Sequence, residues 1–86
     1  MVEMNVREDV LDILDRILGL DGRAREFTDQ TPLLGAVPEL DSMAVVGVIT
    51  SLEEHFGFQV DDDEIDGAVF ATIGSLLHFV AGKLEA

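Results

Sequence analysis

Val6, Val10, Ile13, Leu14 and Ile17 recur at steps of three and four, with Glu8, Asp9, Asp12, Asp15 and Arg16 between them. That spacing predicts an amphipathic helix ending near Gly19. A second helix is expected from Ser42 to Phe56, with Val45, Ile49, Leu52 and Phe56 as its buried stripe, Val48 alongside and Gly57 as its stop. The β-branched cluster Val45, Val46, Val48 and Ile49 would suit a strand in isolation. The charged "SLEEHF" that completes the 3.6-residue stripe decides for a helix. A last helix over residues 72–84 would bury Ile73, Leu76, Leu77, Val80 and Leu84. Between the first two helices lies a loop, residues 20–41, that is long for so small a chain and holds Gly22, Pro32, Gly35 and Pro38. Phe27, Leu33, Leu34 and Leu40 predict that it packs across the core. "VDDDEIDG" reads as a short acidic turn or helix anchored by Ile65. The expected fold is all-α: a small four-helix bundle of three main helices and a short third one, forming a single domain over residues 1–86.

Charge narrows the partners. Five basic against eighteen acidic residues give a net charge of −13, so nucleic acid and anionic membrane surfaces are not the expected partners and a basic protein partner is. Arg7, Arg16, Arg23 and Arg25 sit in the first third, and Lys83 is the next basic residue. The eleven acids from Glu26 to Gly82 therefore lack local partners, and their repulsion is expected to limit stability. The first fifteen residues carry Glu3, Glu8, Asp9, Asp12 and Asp15, unlike a signal peptide. The longest apolar or glycine run, residues 43–49, is too short to span a bilayer. A cytoplasmic monomer is the expectation. With no cysteine, the chain has no disulfide, no thiolate metal site and no thiol nucleophile of its own.

Asp41 and Ser42 stand where the long loop meets the second helix. Either could simply be the helix cap, accepting a hydrogen bond from a first-turn N–H. The same place also presents unpaired N–H groups and the positive end of the helix dipole, which suits a phosphate. A serine held there is exposed enough to be esterified.

"LLGAVPELDSMAVVGVITSLEEHFGFQV", followed by an acidic turn, resembles the acyl carrier protein family. The heart of that pattern is Asp-Ser-Leu, here "DSM", leading into a helix that ends in a Leu-Glu-Glu-x-Phe-like segment, Leu52 to Phe56. "FATIGSLLHFV" resembles the family's entry into its last helix. The resemblance implies that Ser42 is esterified with 4′-phosphopantetheine by a phosphopantetheinyl transferase using coenzyme A and magnesium. It implies a carrier without catalytic residues, whose reactive sulfur is imported on the arm. Asp41 and Met43 would help the transferase and later partners recognise the site. Those partners would be an acyl-loading ligase or acyltransferase and downstream synthases with basic docking patches, in fatty-acid, polyketide or exopolysaccharide-associated biosynthesis.

Three departures from the fatty-acid-synthesis pattern stand out: a longer approach to Asp41, Met43 in place of Leu, and no acid among Ala44, Val45, Val46 and Gly47. The loop and the acidic run look similar to stand-alone bacterial carriers of exopolysaccharide or exosortase clusters, loaded by an AMP-forming ligase. On the 3.6-residue period, the face away from the stripe holds Gly47, Thr50 and Glu54, with Met43 near its top and Val46 on one flank. Asp41, Met43, Val46, Gly47, Glu53 and Glu54 are thus the candidates for partner recognition.

Other chemistries fit less well. Asp62, Glu64, Asp66 and Gly67 match EF-hand loop positions, but the bidentate acid of the last position is Ile73, so no metal site is expected. A hydrolase would need a base for Ser42, and His55 lies about 20 Å along the helix. The competing function is a non-catalytic acidic interaction domain in which Ser42 only caps a helix.

Overall fold

Among the described residues, three α-helices form where the apolar spacing puts them: α1 (Val6–Leu18), α2 (Ser42–Phe56) and α3 (Ile73–Glu85). The computed structural model describes residues 6–65 and 67–85. α1 packs against both α2 and α3. No described helix is long and apolar enough to cross a membrane.

Local chemistry sets the helix ends. Gly57 terminates α2 at φ 78°, a left-handed position that costs glycine nothing, and its N–H donates to the Glu53 carbonyl at 2.8 Å. α3 opens with a reciprocal box: the Thr72 N–H donates to Ser75 Oγ at 3.0 Å and the Ser75 N–H to Thr72 Oγ1 at 3.1 Å. The short third helix is only a 3₁₀ turn, Asp62–Glu64. Its closing bond runs from the Glu64 N–H to the Asp61 carbonyl, the Asp61 N–H donates back to Glu64 Oε2, and consecutive acids give no reason to extend it. A second 3₁₀ turn, Arg23–Glu26, lies inside what reads as loop in the sequence.

The core holds Val10, Ile13 and Leu14 of α1, Val48, Ile49 and Leu52 of α2, and Ile73, Leu76 and Val80 of α3. Val45, Phe56, Leu77 and Leu84 pack at its margin, half-buried. α1 departs from its expected stripe, since Leu11 and Leu18 are buried while Ile17 is 37% exposed. Contact with helices on two sides widens and rotates its buried face.

The long loop does pack on the core, through fully buried Leu20, Ala24 and Leu33, and Leu40. Leu34 is the exception, at 47% exposed. The chain is extended there, bridging Pro32 to Thr72, with the Leu33 and Leu34 N–H groups donating to the Ala71 and Phe70 carbonyls. Consecutive side chains of extended backbone face opposite ways, so burial of Leu33 exposes Leu34. The same strap runs over the start of α3, where the Gly74 N–H donates to the Asp29 carbonyl at 2.8 Å. A Cβ on Gly74 would stand 2.9 Å from that oxygen, so only glycine admits the approach.

Nor are the central acids all without partners. Arg7 of α1 pairs with Asp29, Arg23 with Glu39, and Lys83 of α3 with Glu64 at 2.9 Å. These cations are distant in sequence, and folding brings them back to the acidic stretch. Asp66, part of the rejected calcium loop, lies outside the described residues.

Candidate functional site

The approach to α2 is a turn stabilised by its own backbone: the Val37 N–H donates to the Leu33 carbonyl at 2.9 Å and the Leu40 N–H to the Val37 carbonyl at 3.0 Å. Leu40 then plugs into the core, and Asp41 follows in extended conformation (φ −104°, ψ −175°). Asp41 Oδ1 accepts the Ala44 N–H at 2.8 Å, while its carbonyl accepts the Val45 N–H at 2.9 Å. Asp41 is therefore the cap of α2.

That leaves Ser42 as the first residue of the helix, exposed, its hydroxyl without a hydrogen-bond partner among the described residues. The chain's other two serines are differently placed. Ser51 is half-buried within α2. The Ser75 hydroxyl is engaged by the Thr72 N–H and donates to the Val69 and Thr72 carbonyls, each at 2.9 Å. Ser42 alone offers a free hydroxyl at a helix start, where first-turn N–H groups favour an anionic phosphoester. The residues present fit a phosphate-linked prosthetic group.

Around this hydroxyl the surface is apolar. Met43 is 82% exposed and Val46 63%, and the first turn of α2 carries no acid. Gly47 is not on the open face that the period assigns it. It is half-buried, and a Cβ there would touch Ile17 Cγ2 at 3.4 Å. The helical period fixed its angle on α2 but not the proximity of α1. Ile17 extends the apolar patch across from α1, a contribution that its place in the expected α1 stripe concealed.

Glu53 and Glu54 occupy the other end of α2, about 16 Å from Ser42 at the usual rise per residue. Glu54 is exposed, while half-buried Glu53 accepts the Val60 N–H through Oε2 at 2.8 Å. With Phe58, Gln59, Val60 and Asp61 they line one open groove. His55 Nε2 lies 3.2 Å from Asp9 Oδ2 on α1, and His78 is exposed on α3. Neither histidine is arranged to activate Ser42.

Glu39 was not distinguished in the sequence, yet it stands beside the site. Its carboxylate receives a charged hydrogen bond from Arg23 Nη2, 2.5 Å away, which holds its pKa below the usual carboxylate value, helped by Glu39's own N–H and opposed by partial burial. Nothing in the periodicity links residues this far apart.

A family model described as a phosphopantetheine attachment site matches residues 8–80. The chain is also similar to a holo acyl carrier protein from Nitrosomonas europaea, determined by solution NMR. The two are 53% identical, the match covers 96% of this chain and 100% of that one, and the TM-score is 0.88. No curated protein sequence matches the chain.

Proposed function

The chain belongs to the acyl carrier protein family, and on that premise we propose that Ser42 is the residue esterified with 4′-phosphopantetheine. Members of this family are carriers, substrates of other enzymes rather than catalysts. The attached group supplies a thiol on a flexible arm that holds acyl groups as thioesters. The observation that carries the assignment is that Asp41, not Ser42, caps α2. The serine hydroxyl thus has no structural duty to give up. In the transfer its oxygen bonds to phosphorus and loses its proton to the transferase, as the nucleotide part of coenzyme A departs. Asp41 keeps the helix start closed before and after.

The partners are a phosphopantetheinyl transferase, an acyl-loading ligase or acyltransferase, and downstream synthases bearing basic patches. Met43 and Val46 meet them beside the serine, Glu53 and Glu54 at the far end of α2, and Gly47 keeps the surface between α1 and α2 low. The acid-free upper half of α2 favours a specialised bacterial carrier over a general fatty-acid-synthesis one. The chain acts as one cytoplasmic, monomeric domain.

Intact mass after incubation with coenzyme A, magnesium and a promiscuous transferase tests the assignment. Wild type should gain one phosphopantetheine and Ser42→Ala none, with stability within about 0.5 kcal/mol because alanine is a good helix residue. Equal modification of the variant would make Ser42 an ordinary helix residue and leave the acidic interaction domain as the function.

A further inference from the structure

We propose that Arg23 and Glu39 form a clasp that positions Ser42 for the enzymes that modify and load it, an inference that rests on Ser42 being the attachment site. The clasp starts in α1. Asp15 Oδ1 accepts the Gly22 N–H at 3.1 Å and Oδ2 the Ala24 N–H at 3.2 Å, so the residues on both sides of Arg23 are tied to that helix. Leu20 and Ala24 are fully buried beneath the turn. The guanidinium is then fixed twice: Nε donates to the Leu20 carbonyl at 3.0 Å and Nη2 to Glu39 Oε2 at 2.5 Å.

Glu39 lies two residues before the cap Asp41, next to Leu40. Buried Leu33 and Leu40 hold the two ends of this turn, and neither ties it to the Arg23 turn beside α1. The turn bonds from Val37 and Leu40 fix the turn's shape but not its direction relative to α1. The Arg23–Glu39 bond supplies that tie. Both side chains are partly exposed, 57% and 35%, so their pairing adds little to global stability. Alignment of a reacting hydroxyl is far more sensitive to small displacements, so the effect belongs in transfer kinetics.

The test is steady-state kinetics of phosphopantetheine transfer to Arg23→Gln, Glu39→Gln and the double variant, together with melting curves. Each single change should lower kcat for the transfer about threefold to fivefold, with the KM for the carrier and the melting temperature nearly unchanged. The double variant should be no worse than either single one, because both remove the same contact. If the transferase instead reads the Glu39 charge directly, Glu39→Gln would weaken binding while Arg23→Gln, which frees the carboxylate, would strengthen it. That pattern, additive effects in the double variant, or wild-type kcat in both single variants would overturn the clasp. Mass analysis keeps the two readings apart: modification of wild type and none of Ser42→Ala, alongside clasp variants with unaltered kinetics, would remove the clasp alone.

Discussion

The two ends of α2 present different surface chemistry. At its start, Met43 and Val46 project into solvent beside a free serine hydroxyl, Ile17 of α1 adds apolar surface, and no acid stands in the first turn. At its finish, Glu53 and Glu54 face Phe58, Gln59, Val60 and Asp61 across an open groove, and His55 pairs with Asp9. Charge acts over a Debye length and governs encounter, whereas desolvated apolar contact governs how long a complex lasts. On the proposed function, one helix would divide association and residence between its ends.

The largest effect should come from putting a charge into the apolar end. Val46→Asp should speed dissociation from the loading enzyme about tenfold or more, the cost of burying an unpaired carboxylate in an interface. Met43→Ala should do so less, and it should leave the salt dependence of association unaltered because it changes no charge. Stopped-flow association and dissociation rates would check this. Wild-type residence times in both variants would shift attention to the exposed loop residue Leu34.

Reversal at the acidic end should be milder. Glu54→Lys is the cleaner probe, because Glu53 also holds the Val60 N–H and its loss would disturb the turn after α2. Association with a basic partner should slow about threefold to tenfold at low salt, with a shallower salt dependence and an unchanged dissociation rate. An equal loss at high salt would assign Glu54 to direct packing.

Stability should respond to salt more weakly. Arg7, Arg23 and Lys83 pair with Asp29, Glu39 and Glu64, and of the remaining acids Asp61 and Asp63 stand exposed at the Asp62–Glu64 turn. Screening of that local repulsion should raise the melting temperature by about 2 °C in moderate salt, the equivalent of a few tenths of a kcal/mol. A rise several times larger would mean that repulsion operates across the whole chain.

The smallest effect is in acid. The Asp61 N–H and then Lys83 lower the pKa of Glu64, and Arg23 lowers that of Glu39, below the reference 4.5. A depressed carboxylate contributes stability that is present above its unfolded pKa and lost as pH falls through its folded one. Both contacts should therefore survive at pH 4.5 and open below it. Carboxyl NMR titrations should show both midpoints below that value, and Arg23→Gln should raise the Glu39 midpoint towards it. A Glu39 midpoint indifferent to Arg23 would mean that its own N–H holds the carboxylate.

Much of this was legible in order. The stripe Ile49, Leu52 with Val48, the glycine at 57 and the Asp-Ser pair gave α2 its bounds, because helix period and end chemistry are local. The same locality explains the failures. Ile17 fits the apolar period of α1 as well as Leu18 does, and only the presence of helices on both sides exposes one and buries the other. Gly47 reads as an open-face position until Ile17 is found against it.

The sequence by itself determined that a helix starts at Ser42 beneath a polar residue, since capping needs only neighbours three residues apart, and it determined the acidity a partner must answer. It could not say which of Asp41 and Ser42 is the cap, because both side chains can accept the same N–H. The backbone at Asp41 decided it, held extended between buried Leu40 and the first turn of α2. Nor could it pair Arg23 with Glu39 or lay Asp29 over Gly74. Those contacts join residues far apart in the chain, and they form only because the long loop's leucines are drawn into a core that three helices make together.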